Sequence, residues 1–230
     1  MRIVIAALIV VPAVSCAGRS FEGYLTNGRQ YLESRKYAEA AIEFENAARL
    51  DPRSSVVQVN LAETYTALAQ PENAAAAYQQ ACRLDSRDAP TCLKAASLNL
   101  GLEQFDGAIE AAHAVLAVDK YNLDAQLMLA SALTRTRRFA DAEERIAAAL
   151  AIAPKDPRAY QALADVQRQR GRMTAAEASL RRAIQLDPAG SSARVSLAQL
   201  LFENGRNSDG EREIKAALAA DPADVAANRT

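Results

Sequence analysis

Few side chains in this sequence of 230 residues could carry out chemistry. It has three cysteines and one histidine, His113, which has no second histidine or paired cysteine beside it. That composition argues against a histidine-based zinc site and against Ser-His-Asp or Cys-His catalysis. No glycine-rich phosphate loop or zinc motif is present in the sequence. We therefore predict a protein that is not an enzyme and that uses no metal or other cofactor.

The charge balance narrows the class of partner. The sequence has 27 Lys plus Arg and 28 Asp plus Glu, which gives a net charge of -1. This excludes a strongly basic nucleic-acid-binding protein and an acidic disordered tail. Half of the residues are apolar but only 5% are aromatic, so we expect a core built mainly of aliphatic side chains and alanine.

One of the cysteines, Cys16, follows an N-terminal leader. Arg2 precedes an apolar run at residues 3–11, which is the layout of a secretory signal and is too short for a membrane-spanning helix. Residues 13–16, Ala-Val-Ser-Cys, resemble a bacterial lipobox, in which the cysteine is diacylated and the chain is cut just before it. The resemblance implies a signal peptide at 1–15, a lipid on Cys16 and a short tether at 16–20. Cleavage after Ala17 without lipidation is the alternative.

Both forms of processing take the mature chain out of the cytoplasm. By resemblance to bacterial sorting rules, Ala17 after the cysteine favours the outer membrane, with the protein facing the periplasm. Without the lipid, the protein would be soluble in the periplasm. Four residues separate Cys16 from the first helical pattern and span about 14 Å when extended, so an anchored chain would lie close to the membrane.

The rest of the chain repeats every 34 residues. The pairs Asp187-Pro188 and Asp221-Pro222 lie one period apart, and Asp51-Pro52 lies four periods before the first of them. A fixed period of this length is typical of stacked structural repeats. The sequence divides into six units without insertions, followed by a tail at 225–230: 21–54, 55–88, 89–122, 123–156, 157–190 and 191–224.

Two sets of positions indicate the structure of each unit. Positions 8, 20 and 27 hold mostly glycine or alanine, and positions 7, 11 and 24 hold mostly large apolar residues. Spacings of 3, 4 and 7 place each set on one face of a helix. Each unit therefore predicts two closely packed antiparallel helices, which we call helix A and helix B, and a proline near position 32 ends helix B.

This pattern resembles the tetratricopeptide repeat, which has these small and large positions over 34 residues. The resemblance implies an all-α fold, a right-handed α-solenoid of six helix-turn-helix repeats. It also implies a non-catalytic scaffold that binds other proteins. Unit 3 departs most from the pattern, with Ala95, Asn99 and Ala112 where large residues are expected, so we predict that it is the least stable unit.

The resemblance also predicts where a partner binds. In such arrays helix A lines a concave groove, and positions 2, 5, 9, 12 and 13 face it. Positions 5 and 12 hold the candidate contacts. An apolar row there could hold a helix or an extended peptide, although these side chains could instead be half-buried between neighbouring A helices. The predicted groove residues are Leu25, Val59, Leu93, Leu127, Leu32, Leu100, Arg168 and Phe202.

The other two cysteines lie on either side of one predicted turn. Cys82 is on helix B of unit 2 and Cys92 is on helix A of unit 3, each five residues from Arg87. Across an antiparallel pair they should lie at the same level, so a disulfide could form in an oxidising compartment. Two buried free thiols are the alternative, because free cysteine packs as a small apolar residue.

Arginines gather near the turn between helices A and B in units 4 and 5, and we expect them to form one basic edge. Such an edge could bind an acidic partner or anionic lipid. The preferred interpretation is that these arginines are simply exposed to water in the turns. The arginines are Arg135, Arg137, Arg138, Arg168, Arg170 and Arg172.

Three functions agree with these patterns. The first is an adaptor of the bacterial cell envelope, anchored by lipid and holding a partner in the groove, as in the pilotin lipoproteins that it resembles. The second is a soluble periplasmic protein that binds apolar segments as a chaperone does. The third is self-association through the C-terminal end, where Val225, Ala226 and Ala227 could stack against a second copy.

Overall fold

The structure, a computed structural model, describes residues 20–222, which form twelve α-helices arranged as six hairpins. The all-α prediction is confirmed. The leader with Cys16 and the tail with Val225 lie outside the described residues. The helices are α1 (Phe21–Glu33), α2 (Tyr37–Leu50), α3 (Ser55–Ala67), α4 (Pro71–Leu84), α5 (Ala89–Gly101), α6 (Phe105–Val118), α7 (Leu123–Arg135), α8 (Phe139–Ile152), α9 (Pro157–Gln169), α10 (Met173–Leu186), α11 (Ser192–Glu203) and α12 (Asn207–Ala220).

Five of the six A helices begin at a side-chain cap. The capping residue occupies the same place in each unit and accepts a hydrogen bond from a backbone N–H in the first turn, as N-cap residues do. These caps are Ser20, Ser54, Asp88, Asn122 and Asp156. The equivalent residue before the last A helix is Gly190, which has no side chain to offer. Helix α11 accordingly begins at Ser192, and its N-cap Ser191 makes no side-chain cap bond within the described chain.

All six turns between helices A and B share one backbone conformation. The residue at position 15 has a positive φ, between 53° and 73°. The N–H of the next residue then bonds back to the carbonyl of position 11, as from Lys36 to Tyr31 at 2.8 Å, which closes the end of helix A. The residues with positive φ are Arg35, Ala69, Glu103, Arg137, Gly171 and Gly205.

The core forms where the two helices of each hairpin approach closely. The small residues of positions 8, 20 and 27 are buried in every unit, which lets larger side chains fill the space between the helices. These residues are Gly28, Ala62, Ala96, Ala130, Ala164, Ala198, Ala40, Ala74, Ala108, Ala142, Ala176, Gly210, Ala47, Ala81, Val115, Ala149, Ala183 and Ala217.

Two glycines make room for an aromatic ring at the ends of the array. A Cβ on Gly28 would lie 2.5 Å from the Phe44 ring, and a Cβ on Gly210 would lie 2.5 Å from the Phe202 ring. Gly210 has a lower helix propensity than alanine, but it allows this close contact, which an alanine would allow only if the Phe202 ring moved.

The apolar core is not uniform along the array. One cluster of buried residues runs from Leu25 through the first four units to Val166 in α9. A smaller cluster joins α9, α10 and α11 around Leu200, and a third contains only Val195 and Ala217 with their neighbours. Stability from burial should therefore be greater in units 1 to 4.

The connections define two edges of the array. Linkers of a few residues force consecutive helices to be antiparallel, so every A helix begins at the same edge. We call this the start edge; it is made of the turns at 51–54, 85–88, 119–122, 153–156 and 187–191. The A-to-B turns form the opposite edge. None of the helices within 20–222 is long and apolar enough to cross a membrane.

Candidate partner-binding groove

The A helices form the more crowded of the two layers. Each contacts its own B helix, and contacts also join α1 with α3, α5 with α7, α7 with α9 and α9 with α11. Among the B helices of the described chain, the comparable contact joins α4 with α6. Closer spacing of the A helices curves the array towards them, so their free faces line its concave side.

The predicted row at position 5 lies on this side but is not fully open to solvent. Leu25 is 8% exposed and belongs to the core, whereas Val59, Leu93 and Leu127 are half-buried. Leu93 packs against the core cluster as well. Leu25 is therefore part of the core, whereas the residues at position 5 in units 2 to 4 are partly open to solvent.

The predicted residues of position 12 lie in four different surroundings. Leu32 is half-buried against the core, and Leu100 is half-buried. Arg168 is held by ion pairs, and Phe202 packs its ring on Gly210 of the neighbouring helix. Position 12 is therefore not one continuous surface along the array.

The groove becomes polar towards the C-terminal end. Arg168 contacts Asp165 at 3.0 Å and Glu203 at 2.8 Å. Partial burial disfavours its charge, but the two carboxylates outweigh that effect and raise the pKa of Arg168. A cleft of about 130 Å³ opens beside this arginine, and its polar lining consists of Gln161, Asp165, Arg168, Ser196 and Gln199.

Sequence reasoning missed most of the residues that line this cleft. Gln161 and Ser192 share a 2.9 Å hydrogen bond across neighbouring A helices, so this end of the groove is a polar network. Asp165 and Gln199 both occupy position 9, one turn of helix after position 5. A polar pair at this position in consecutive units is the signal that could have found them.

The basic edge predicted in units 4 and 5 is largely neutralised. Arg138 pairs with Asp141 at 2.7 Å, and Glu143 forms ion pairs with both Arg170 and Arg172. Arg135 pairs with Glu103 of the preceding unit. Arg137 alone of the six arginines has no ion pair within the described residues, and it lies 5.8 Å from the Phe139 ring.

The seam between units 2 and 3 is covalently closed. The sulfurs of Cys82 and Cys92 are bonded, with their Cα atoms 4.9 Å apart, and both residues are buried. The bond joins α4 to α5 beside the unit that departs most from the repeat pattern. Closing this loop stabilises the folded chain by about 3 kcal/mol on the chain-entropy model.

Two polar contacts accompany the disulfide at this seam. The Asn99 amide donates to Gln79 at 3.0 Å and to the Ala95 carbonyl at 2.8 Å, in the space where other units hold a large residue. Arg83 and Glu110 are joined at 2.7 Å, and the hydrogen bond from Arg83 lowers the pKa of Glu110. A buried amide pair and an ion pair thus replace part of the apolar packing of unit 3.

No group of three or more metal-ligating side chains occurs among residues 20–222. His113 is exposed on α6 and lines a shallow depression with Arg138 and Arg145, with Asp141 and Glu144 also at its wall. The mixture of charges there is typical of a solvated helix surface.

Comparison with known proteins agrees with the geometry. Family models described as tetratricopeptide repeat match residues 25–89, 99–166 and 167–229. No curated protein matches the chain.

Several solved structures share the fold. A tetratricopeptide repeat protein from Parabacteroides merdae ATCC 43184 is 18% identical with a TM-score of 0.71, over 88% of this chain and 80% of that one. PilW, described as a widely conserved type IV pilus biogenesis factor, is 18% identical with a TM-score of 0.61, over 93% and 99%. Pseudomonas aeruginosa pilF is 15% identical with a TM-score of 0.54, over 91% and 95%. At these identities the likeness is one of fold.

Proposed function

The chain belongs to the tetratricopeptide repeat family, and on that premise we propose that it is an adaptor of the bacterial cell envelope. A lipid on Cys16 fixes it to a membrane, and its concave face holds a helix or an extended segment of one partner protein. The observation that carries the proposal is the half-buried apolar row of Val59, Leu93 and Leu127 on three consecutive A helices. Apolar rows of this kind on protein surfaces usually mark contacts.

The side chains along the groove change from apolar to polar, and this change indicates what kind of segment the partner offers. Units 2 to 4 offer aliphatic side chains, so the segment that binds there has apolar residues at a regular spacing. Unit 5 offers the amide of Gln161 and the charges of Asp165 and Arg168 beside the cleft of about 130 Å³. The same segment therefore continues into a polar end that can form hydrogen bonds with these groups.

Two observations support a place in the cell envelope. The leader resembles a lipoprotein signal, and the N-cap of the first A helix, Ser20, comes four residues after Cys16. The pilus biogenesis factor PilW also matches nearly the whole of this chain, and nearly all of its own length is covered. Assembly of an envelope complex is therefore the setting that we propose for the adaptor.

A soluble periplasmic binder of apolar segments is the second candidate. The same half-buried row favours it, because a chaperone-like protein also needs an apolar surface. The two candidates differ in the number of partners, since an adaptor binds one protein and a chaperone binds many unfolded chains weakly.

Cross-linking in the native host tests both candidates. Leu127→Glu should abolish capture of the partner, because it places a charge in the apolar row, at the end next to the polar unit 5. Ile42→Glu is the matched control, since Ile42 is 59% exposed on α2 and lies outside the groove. Circular dichroism of both variants checks that the array remains folded.

The captured proteins decide between the candidates. One envelope protein, captured by the native chain and Ile42→Glu but lost with Leu127→Glu, supports the adaptor. Many unrelated proteins would support the chaperone-like binder instead. Capture that survives Leu127→Glu places the binding site elsewhere and overturns both.

The intact mass of the mature chain tests the anchor separately. A chain that begins at Cys16 with added acyl mass in the membrane fraction agrees with the proposal, and Cys16→Ser should lose that mass. A chain that begins at Gly18 in the soluble fraction contradicts anchoring.

A further inference from the structure

Large apolar side chains that stand out into solvent are concentrated at one edge of the array. Tyr121 is 64% exposed, Val118 57%, Leu50 55% and Val56 47%, and all four lie in or beside the turns of the start edge. Of the large apolar residues exposed within 20–222, only Ile42 lies away from this edge. Single exposed apolar residues are ordinary, whereas their concentration on one side indicates a contact surface.

The exposed tyrosine has the surroundings of a residue at a membrane interface. The ammonium of Lys120 lies 4.8 Å from the centre of the Tyr121 ring, and both side chains are exposed in the turn between α6 and α7. A tyrosine next to a lysine presents an apolar body with polar tips, which suits the headgroup region of a bilayer.

The described chain begins at this same edge. Ser20 caps α1 there, and Cys16 precedes it by four residues. Four extended residues reach at most about 14 Å, so a lipid on Cys16 would hold the start edge, and not the opposite edge, next to the bilayer.

The charges at the start edge are mixed. Arg53 and Lys155 are exposed and have no ion pair within the described residues. Asp51, Asp85 and Asp119 stand in the same turns, each accepting a backbone N–H two residues on. The turns of the start edge hold six acidic and four basic side chains, so charge does not draw this edge to anionic lipid. Apolar and aromatic contacts supply the attraction, and the edge fits a phospholipid surface without requiring anionic lipid.

We propose that the start edge is a membrane-docking surface that places Tyr121, Val118, Leu50 and Val56 in the headgroup region of a phospholipid bilayer. The proposal rests on the anchoring at Cys16 in the proposed function. Contact at this edge makes the helices stand steeply on the bilayer, since they run from one edge to the other. The concave face then points sideways, free of lipid, and open to a partner.

The absence of tryptophan from the sequence allows a direct test with a single reporter. The full chain carrying Tyr121→Trp is reconstituted into vesicles of phosphatidylethanolamine and phosphatidylglycerol in which part of the lipid is brominated. Bromine quenches tryptophan only within the bilayer. Val118→Trp is a second reporter at the same edge, in case the first variant does not fold.

Two controls carry the tryptophan elsewhere. Gln104→Trp places it at the opposite edge, where Gln104 is exposed and makes no side-chain cap bond within the described residues. Ile42→Trp places it at an equally exposed apolar site away from both edges.

Tryptophan at position 121 should lose about half of its emission to brominated lipid, against about a tenth at positions 42 and 104. Equal quenching at the three positions overturns the proposal. The proposal is also overturned if the chain floats with the vesicles while iodide in the water still quenches the tryptophan at position 121. A chain that does not float with the vesicles overturns it as well. Adding Leu127→Glu should not change the quenching, so failure of groove binding and failure of docking are told apart.

Discussion

Units 1 to 4 and units 5 and 6 follow the same 34-residue pattern but are held together by different interactions. A continuous apolar core runs through the first four, and a disulfide closes the seam between units 2 and 3. In the last two the core is divided between two smaller clusters. Ion pairs cross the seam between units 5 and 6, as Arg168 with Glu203 and Arg206 with Glu177 do, and ion pairs also cross the seams of the first units.

The difference shows that equal repeat geometry does not mean equal stability. In a linear array the stability is close to a sum over units and their neighbouring interfaces. A fully buried aliphatic side chain contributes about 1.5–3 kcal/mol, whereas a partly exposed ion pair contributes about 0–1 kcal/mol. We therefore expect α11 and α12 to open more often than the helices of units 1 to 4.

Loss of the disulfide should change the difference in stability between the two regions more than any other variation. Reduction of Cys82–Cys92 should lower the free energy of unfolding of units 2 and 3 by about 3 kcal/mol, because the loop it closes is freed in the unfolded chain. Hydrogen exchange, read separately for α4 with α5 and for α11 with α12, measures the change in each region.

The matched control is the variant Cys82→Ala with Cys92→Ala. Its exchange should not respond to a reducing agent. Should reduction leave α4 and α5 of the native chain as protected as before, the disulfide would not be what distinguishes the first units from the last.

The two glycines that face phenylalanine rings should differ in a smaller but measurable way. Gly28→Ala should cost about 2 kcal/mol, because its Cβ meets the fully buried Phe44 ring in the continuous core. Gly210→Ala should cost less than about 1 kcal/mol, because the half-buried Phe202 ring can turn towards solvent and alanine favours the helix. Urea denaturation of each variant gives the change in stability.

Gly101→Ala serves as the control, since no atom lies within 4 Å of the Cβ that it would add. It should be neutral or slightly stabilising. Equal losses of stability in Gly28→Ala and Gly210→Ala would mean that the two ends of the array are packed with equal rigidity.

Lowering the pH should produce the smallest change in stability, and this change should differ between the two regions. Arg83 lowers the pKa of Glu110 beside the disulfide, and Arg181 and then Arg206 lower the pKa of Glu177 in α10. A lowered pKa contributes stability above the unfolded value, 4.5 for glutamate, and this stability is lost as the pH falls through the folded pKa.

Both ion pairs should weaken in acid, but only the one without a covalent bond beside it should let its seam open. Hydrogen exchange at neutral pH and at about pH 3.5 should therefore show new exposure at α10 and α12, with little change at α4 and α6. Glu177→Gln should remove the acid response of α10 and α12. A matching response at both seams would contradict the comparison.

The period and the small positions were enough to predict the fold from the sequence. Eighteen positions with small or β-branched side chains recur in register, and their burial follows from the close approach of the two helices. The position of the turns followed as well. Such local rules fix each hairpin because the contacts that make it lie within one unit.

The surface was harder to predict because neighbouring units decide it. Leu25 and Leu127 share position 5, yet the first is buried and the second half-buried, since their neighbours differ. The Phe202 ring packs on Gly210 of the neighbouring helix, which the spacing within helix A alone does not indicate. Some arginines of units 4 and 5 pair with carboxylates of a neighbouring unit, such as Arg135 with Glu103 and Arg170 with Glu143, which no spacing within one unit reveals.

The uniform turns have a consequence for how such a chain can change in length. The residue after each B helix also keeps one backbone conformation, with φ between -139° and -131°, so a whole unit could be lost or duplicated by recombination without disturbing the register of the others. Units 2 and 3 are the exception. Each supplies one cysteine of the Cys82–Cys92 bond, so they are best inherited as a pair.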